Sequence, residues 1–261
     1  VKSWHRHLKC HCRQAFQLIR ASSRFLASNL YWYVVKDGIL IIDKPAGWTS
    51  FDVCAKIRGQ LKGQYRKNGV KPTKRQLRVG HAGTLDPFAT GLLVILLGDS
   101  TKKASEFLKL DKVYEATIIL GKESTTGDPE GEITEPITLL RKPSFQKIEQ
   151  TLKQFVGDIQ QRPPSYSAIK INGQRAYKLA REGKEIEIPL RAVTIYSIDL
   201  LDYTYPKLRI RTHVGSGTYI RSLAADIGKA LGVGAYCSQL RRVQVGGWNV
   251  DDACSIDAVQ L

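Results

Sequence analysis

The 261-residue chain contains no methionine and is poor in acidic residues. Asp and Glu number 24 against 40 Lys and Arg, which gives a formal net charge of +16 and a pI near 9.7. An excess of basic residues on this scale favours polyanionic partners, chiefly nucleic acid or an anionic membrane surface. Long hydrophobic runs are also missing, because no apolar stretch approaches the roughly 18 residues that span a bilayer. The sequence therefore favours nucleic acid as the partner and gives no reason to expect a membrane.

Cysteine is scarce, and neither a disulfide framework nor a metal site is expected. The five cysteines are an odd, scattered set, which favours a reducing compartment: Cys10, Cys12, Cys54, Cys237 and Cys254. The histidines and cysteines between His5 and Cys12 are adjacent or separated by one or two residues, and this spacing fits no standard zinc site. No Walker or GxGxxG loop is present. The glycine-bearing VGSGTYIR (Val214–Arg221) lacks the ending of a phosphate loop.

Carboxylates are absent from two long segments. The first, Val1–Lys36, has seven Lys/Arg and several serines, and resembles an organellar transit peptide. Because the chain starts with valine, it is alternatively a fragment, or its reading frame extends upstream of the true start. We treat residues 1–36 as a basic tail and 37–261 as one catalytic domain. A cytoplasmic location is expected, or a mitochondrion or plastid if the tail is a transit peptide.

The second acid-free segment, Val53–Leu85, holds nine Lys/Arg. Its middle, Gly63–Arg75, has no apolar period and is predicted to be a loop. Directly after it, the stretch GHAGTLDPFATGLL (Gly80–Leu93) contains a single acid, Asp86. An isolated Asp-Pro pair ordinarily marks a turn, so Asp86 gains a functional meaning only from the rest of the chain.

Hydrophobic periodicity and turn signals predict an α+β fold with one large, mainly antiparallel sheet, because strands and helices alternate without a regular βαβ period. A strand over Ile39–Ile42 is followed by a helix that Thr49 opens as a capping box and that ends near Leu61. The other expected strands are Leu92–Leu97, Tyr114–Leu120, Gly131–Glu135, Ser165–Ile171, Ala192–Tyr203 and Lys207–Val214. Further helices are expected from Asp99 or Ser100 to about Leu108 and from Thr218 to Leu231, the latter with Gly232 as its C-cap. A helix is also expected from Ser144, with an apolar face formed by Phe145, Ile148, Leu152 and Phe155.

Six motifs occur in order across Gly38–Gly246: GILIIDKPAG, GHAGTLDPFATGLL, DKVYEA, RPPSYSAIKINGQRAY, GSGTYIRSLAADIG and QLRRVQVG. Together they closely resemble the TruB family of tRNA pseudouridine synthases. The resemblance implies the pseudouridine synthase fold, a large mixed sheet flanked by helices and RNA-binding loops. It also implies conversion of uridine to pseudouridine at position 55 in the T-loop of tRNA, without a cofactor.

By this resemblance Asp86 is the catalytic nucleophile, and a carboxylate ionised near neutral pH suits that role. Arg221 matches the family's arginine that pairs with the nucleophile. Tyr114 matches a tyrosine that stacks on the target base and is implicated in proton transfer. Tyr219 matches a second pocket tyrosine, and Leu240 either an apolar wall for the base or a plain core residue.

The resemblance also implies RNA contacts outside the pocket. His81 matches the histidine that enters the T-loop and fills the space of the flipped base. Arg162–Ile188 resembles an insertion that closes over the T-arm like a thumb, and its expected phosphate contacts are Lys170, Lys178 and Arg181.

The sequence departs from the family pattern after Gly246, where the remaining residues are too few for a PUA domain. We therefore expect a stand-alone monomer without an obligatory protein partner, in which the basic insertion Gly63–Arg75 helps to grip tRNA. Two alternatives remain open. One is a tRNA-folding chaperone that binds the T-arm, and the other is the same chemistry on T-loop-like hairpins in mRNA.

Overall fold

The structure, a computed structural model, describes residues 38–134, 142–167, 169–171, 174–175 and 188–259. These residues form two compact units. The first unit comprises the described residues up to Pro87, Gly91–Leu108 and those from Gly247 onward, and the second comprises Phe88–Thr90 and Lys109–Gly246. The basic tail, with its histidine and cysteine group, lies outside the described residues.

The first unit is built on a small mixed sheet. Strand β1 (Gly38–Lys44) pairs antiparallel with β3 (Thr90–Leu97), and β2 (Val79–His81) pairs antiparallel with β3 as well. The short strand β12 (Cys254–Ser255) lies parallel to β1. The apolar run of β3 is buried from Gly91 to Leu97, as a strand covered on both faces should be. Both predicted strands of this unit, in β1 and β3, are confirmed.

Helix α1 (Ser50–Lys67) begins at the predicted capping box. The Thr49 side chain accepts a hydrogen bond from the Asp52 N–H, and the Asp52 carboxylate accepts one from the Thr49 N–H. The helix runs six residues beyond Leu61, so the prediction of a loop is wrong for Gly63–Lys67. Burial of Tyr65 in the core explains the extra turns, and the helix ends where Gly69 takes a positive φ of 66°.

The rest of the first unit consists of short elements. A 3₁₀ segment, Gly98–Lys103, leads into helix α2 (Ala104–Leu108). The predicted cap at Asp99 or Ser100 is wrong, because Leu97 precedes the segment and no side chain caps it. The Phe107 ring stacks on Trp248 of strand β11 (Trp248–Asn249) at 5.4 Å between centroids.

The second unit contains a five-stranded antiparallel sheet in the order β10-β4-β9-β8-β5. Its strands are β4 (Lys112–Leu120), β5 (Gly157–Gln161), β8 (Arg191–Thr204), β9 (Lys207–Val214) and β10 (Ala235–Val245). The strands expected near β4, β8 and β9 are confirmed. The alternation of apolar and polar residues in the sequence did not predict β5 or β10. Strand β10 buries Arg242, a residue that sequence patterns place on a surface.

Two helices accompany this sheet. Helix α3 (Phe145–Lys153) is capped by Ser144, whose side chain accepts a hydrogen bond from the Lys147 N–H. Phe145 was expected on its apolar face but is exposed. Helix α4 (Ile220–Leu231) ends at Gly232, which takes a positive φ of 72° as its predicted C-cap.

Two predicted strands are reduced in the structure. In place of Gly131–Glu135 there is an isolated bridge between Ser124 and Ile133, and Glu135 is outside the described residues. Among the described residues of Ser165–Ile171, Lys170–Ile171 (β6) forms a strand, which pairs with Gln174–Arg175 (β7). The elements together confirm an α+β fold with a mixed, mainly antiparallel sheet. No helix in the described part of the chain is long and apolar enough to cross a membrane.

Lys112, at the start of β4, gives the fold a testable pH dependence. Burial, and next the charge of Arg242, lower the pKa of Lys112 from 10.5 to about 8. The unfolded chain therefore binds more protons than the native state between about pH 8 and 10.5, and the free energy of unfolding should rise with pH across that window. We expect Lys112→Met to remove this rise, as measured by urea unfolding at several pH values. If the free energy of unfolding rises equally with pH in the wild type and in Lys112→Met, the lowered pKa does not belong to Lys112.

Candidate active site

Asp86 lies in the first unit, on the loop between β2 and β3, and is half-buried. The buried side chain of Ser50, the first residue of α1, holds the preceding residue. Its Oγ accepts a hydrogen bond from the Leu85 N–H at 2.9 Å and donates one to the Leu85 carbonyl at 3.1 Å. Both polar groups of Leu85 are thereby fixed, and the backbone enters Asp86 at a defined angle.

The residue after Asp86 is held by the turn that follows β1. The Lys44 side chain is fully buried, and its Nζ donates to the carbonyls of Trp48 at 2.6 Å, Pro45 at 2.9 Å and Pro87 at 3.2 Å. The Gly47 N–H donates to the same Pro87 carbonyl at 2.8 Å. Gly47 has a φ of 78°, which a residue with a Cβ rarely adopts. The motif GILIIDKPAGWTS thus positions the Asp86 loop from one side.

Ser50→Ala tests this support. Both buried groups of Leu85 lose a partner, which should lower the free energy of unfolding by about 1–3 kcal/mol. We also expect a lower kcat for the reaction proposed below, because the Asp86 carboxylate loses part of its positioning. Thermal unfolding and single-turnover kinetics measure the two effects. Ser238→Ala is the matched control, since Ser238 donates a single hydrogen bond to the Thr117 carbonyl. Equal effects of the two substitutions would refute a positioning role for Ser50.

Arg221 lies in the second unit, in the first turn of α4, and its guanidinium is buried. Its Nη1 donates to Asp128 Oδ2 at 2.7 Å and to the Thr126 carbonyl at 3.0 Å, and its Nη2 donates to the Tyr166 carbonyl at 2.8 Å. The side chains of Arg221 and Asp128 are only 5% and 3% exposed. Few charged side chains are this deeply buried, and those that are need partners of this kind.

Asp128 is in turn held by its own loop. The Thr126 hydroxyl donates to Asp128 Oδ1 at 2.6 Å, and the Glu130 N–H donates to the same oxygen at 3.0 Å. One carboxylate oxygen therefore fixes the loop while the other binds Arg221. Sequence reasoning missed Asp128 because the segment TTGDPEG has the composition of a turn. The available signal was a second Asp-Pro pair, Asp128-Pro129, besides the one at Asp86.

Tyr219 precedes α4 and is positioned by Gln161 at the end of β5. The Tyr219 N–H donates to Gln161 Oε1 at 2.8 Å, and Gln161 Nε2 donates to the Tyr219 carbonyl at 3.1 Å. Gln161 is almost fully buried, so its side-chain amide and the backbone N–H and carbonyl of Tyr219 satisfy each other's hydrogen bonds. Gln161 is a second residue that the sequence did not single out.

Tyr114 and Leu240 lie on the neighbouring strands β4 and β10. Tyr114 pairs with Arg242, and Leu240 pairs with Ala116, two residues along β4. Because residues two apart on a strand share a face, the side chains of Tyr114 and Leu240 lie on the same face of the sheet. The structure thus brings these two predicted pocket residues together, and both are buried.

His81 ends β2 in the first unit, and its ring meets Phe51 of α1 edge to face at 5.2 Å between centroids. The side chains of the predicted phosphate contacts Lys170, Lys178 and Arg181 lie outside what the structure describes, although the Lys170 backbone forms β6. The two ends of the segment expected to form the thumb are joined, because Arg162 Nη1 donates to the Ile188 carbonyl at 2.6 Å.

Family models cover most of the described chain. Residues 70–220 match the TruB family pseudouridylate synthase (N terminal domain), and residues 221–261 match the tRNA pseudouridylate synthase B C-terminal domain. The first match contains Asp86, Asp128 and Tyr219, and the second begins at Arg221.

Several curated relatives carry the description "tRNA pseudouridine synthase B". The relative from Dehalococcoides mccartyi is 47% identical over 229 residues, which are 86% of this chain and 70% of that protein. The relative from Phocaeicola vulgatus is 43% identical over 229 residues, 85% of this chain and 92% of that protein. The relative from Dechloromonas aromatica is 46% identical over 210 residues, 80% of this chain. The chain spans 65% of the length of that last protein.

Solved structures agree on the fold. "Crystal Structure of a Cbf5-Nop10-Gar1 Complex" matches with a TM-score of 0.63 and 29% identity, over 88% of this chain and 56% of the other. "Structure of H/ACA RNP bound to a substrate RNA containing 2'-deoxyuridine" matches with a TM-score of 0.60 and 27% identity, over 88% of this chain and 54% of the other.

Proposed function

Because this chain belongs to the TruB family of pseudouridylate synthases, we propose that it converts the T-loop uridine at position 55 of tRNA to pseudouridine. One observation carries the proposal. Asp86, in the motif GTLDP, follows 33 residues without a carboxylate (Val53–Leu85) and lies between two residues that buried hydrogen bonds hold in place. A simple surface turn would not need such support.

The proposed reaction is an isomerisation and balances without an oxidant, a reductant or a second substrate. The bond between uracil N1 and C1′ of the ribose breaks, the base turns, and uracil C5 bonds to C1′. The hydrogen on C5 leaves as a proton, and N1 gains one. Asp86 supplies the nucleophile, since an ionised carboxylate can bond covalently to the sugar or the base during the exchange.

The other residues keep the roles that the family resemblance implies. Arg221 serves as the ion partner of the nucleophile, and Asp128 holds the guanidinium of Arg221 in the second unit. Tyr114 and Tyr219 contact the target base, and Leu240 forms an apolar wall beside it. The bound base is proposed to exclude water, which strengthens the interaction between the Asp86 carboxylate and Arg221.

The choice of tRNA rests on charge and on the curated relatives. A net charge of +16 suits a phosphate-rich partner. The base must leave the stack to be turned, and His81 is proposed to occupy the space that it leaves. The relatives described as tRNA pseudouridine synthase B favour tRNA over mRNA hairpins as the substrate.

The test is tritium release from a tRNA transcript labelled with [5-³H]uridine. We expect the protein to release one tritium per transcript, and to release none when the T-loop uridine is replaced by cytidine. Equal release from both transcripts would refute the assigned position. Tight binding without release from either would favour the tRNA-folding chaperone, and release from isolated mRNA hairpins but not from tRNA would favour the same chemistry on mRNA.

A further inference from the structure

Phe51 is an exposed aromatic residue that the proposed catalytic site does not use. Its side chain is 67% exposed, more than any other large hydrophobic residue in the described part of the chain. Its ring is nevertheless ordered against His81, edge to face, at 5.2 Å. The two rings form an aromatic pair on the surface of the first unit, where each keeps accessible area for a further ring.

A row of exposed residues continues from this pair along α1. Phe51, Ala55, Arg58, Lys62 and Arg66 are spaced by four, three, four and four residues, so they share one face of the helix, and all of them are exposed. From Phe51 to Arg66 this stripe is about 22 Å long at 1.5 Å per residue. We call this row, together with His81, the α1 stripe.

The basic part of the α1 stripe is not neutralised locally. Neither Lys62 nor Arg66 forms an ion pair with any residue that the structure describes, and Val53–Leu85 contains no acid. Arg58 is oriented by the loop before β2, since it donates to the Leu77 carbonyl at 3.3 Å and to the Val79 carbonyl at 3.0 Å. Arg75 of the same basic segment differs, because it is paired with Asp99.

We propose that the α1 stripe is an RNA-binding surface, on which Phe51, held edge to face by His81, stacks on a base and Lys62 and Arg66 bind the phosphates of the strand leading away from it. Aromatic rings beside a line of positive charge are the combination that holds single-stranded nucleic acid. Positive charge at Lys62 and Arg66 that no ion pair in the described chain neutralises complements phosphate and not a protein or lipid surface of mixed charge. The proposal rests on the proposed function, because it assigns a binding surface to part of the tRNA substrate. It also assigns the tRNA binding expected of the basic segment Gly63–Arg75 to Arg66 and its neighbours on α1.

Two variants test the charged and aromatic parts separately. We expect Lys62→Gln/Arg66→Gln to weaken tRNA binding about tenfold at 100 mM salt and to reduce the slope of log Kd against log salt by about 1.4–1.8. We expect Phe51→Ala to weaken binding about tenfold with an unchanged salt slope, and Phe51→Trp to restore the affinity, because stacking carries no net charge. The matched control, Lys147→Gln/Lys153→Gln on α3, removes the same charge from another exposed helix.

Affinity is measured by filter binding with the full chain, and kcat by tritium release at saturating tRNA. The proposal requires a raised Kd with kcat unchanged. It is overturned if the double variant matches its α3 control in Kd and salt slope, or if only kcat changes. It is also overturned if Phe51→Ala lowers the melting temperature and leaves Kd unchanged, since Phe51 would then serve packing. A wild-type protein that binds tRNA through the stripe but releases no tritium would refute the proposed function alone.

Discussion

Asp86→Asn should abolish tritium release, lowering the rate by at least about 10³-fold, while the Kd for tRNA stays within about twofold of the wild type. The amide has nearly the shape of the carboxylate but cannot act as the nucleophile. The hydrogen bonds from Ser50 and Lys44 go to the backbones of Leu85 and Pro87, so the loop keeps its support in the variant. Rapid-quench single-turnover assays with saturating enzyme measure the chemical step without contributions from binding.

Asp251→Asn is the matched control for this experiment. Asp251 belongs to the same unit, is exposed, and uses its backbone N–H and not its carboxylate to bond Asn249. We expect it to be as active as the wild type. Tritium release by Asp86→Asn at the rate of this control would remove Asp86 from the mechanism and with it the central assignment of this site.

Asp128→Asn should cost both stability and activity. The Asn side chain can still accept the hydrogen bonds from the Thr126 hydroxyl and the Glu130 N–H, so the loop keeps its local contacts. The guanidinium of Arg221, however, loses its buried counter-charge. Breaking one side of a buried ion pair typically costs about 3–5 kcal/mol, because the remaining charge is left in a poorly solvated site. For a chain of this size that corresponds to a melting temperature lower by roughly 6–20 °C.

The catalytic effect of Asp128→Asn should exceed what partial unfolding explains. Because Arg221 is the proposed partner of the nucleophile, a displaced guanidinium should lower kcat by about 100-fold or more at a temperature where the variant remains folded. Asp158→Asn is the control, since Asp158 is exposed and accepts a hydrogen bond from the Thr194 hydroxyl. A variant at Asp128 that melts like this control and keeps its kcat would show that the buried pair has neither role.

Local signals in the sequence predicted the elements that depend on local physics. The capping box at Thr49 and Asp52, the C-cap at Gly232 and the apolar run of β3 each act within a few residues, and each is found where it was expected. The end of α1 was misplaced because burial of Tyr65 is a tertiary effect. Strand β10 escaped notice because its buried Arg242 breaks the apolar alternation that marks a strand.

The supports of the candidate site were harder to anticipate than its principal residues. Asp86 and Arg221 were named from motifs, whereas Asp128 and Gln161 were not. Asp128 lies 93 residues from Arg221 in sequence, and Gln161 lies 58 residues from Tyr219. No periodicity or spacing rule links residues so far apart. Only the folded chain shows that a turn-like aspartate and an ordinary glutamine position the two functional residues around the start of α4.

The hydrogen bond from Arg162 to the Ile188 carbonyl has a consequence for how this family can vary. Because the two ends of the segment from Arg162 to Ile188 are joined by a hydrogen bond, their attachment to the rest of the protein does not depend on the residues between them. Lengthening such a closed segment is inexpensive in entropy, since doubling the number of residues in a flexible loop costs only about 0.6 kcal/mol. Tyr166 within this segment is constrained, because its carbonyl accepts a hydrogen bond from Arg221 Nη2 at 2.8 Å. Sequence changes beyond Tyr166 are expected to leave β5 and β8, on which Gln161 and the sheet depend, in register. We therefore expect substrate range to diverge through sequence changes beyond Tyr166 while the chemistry is preserved.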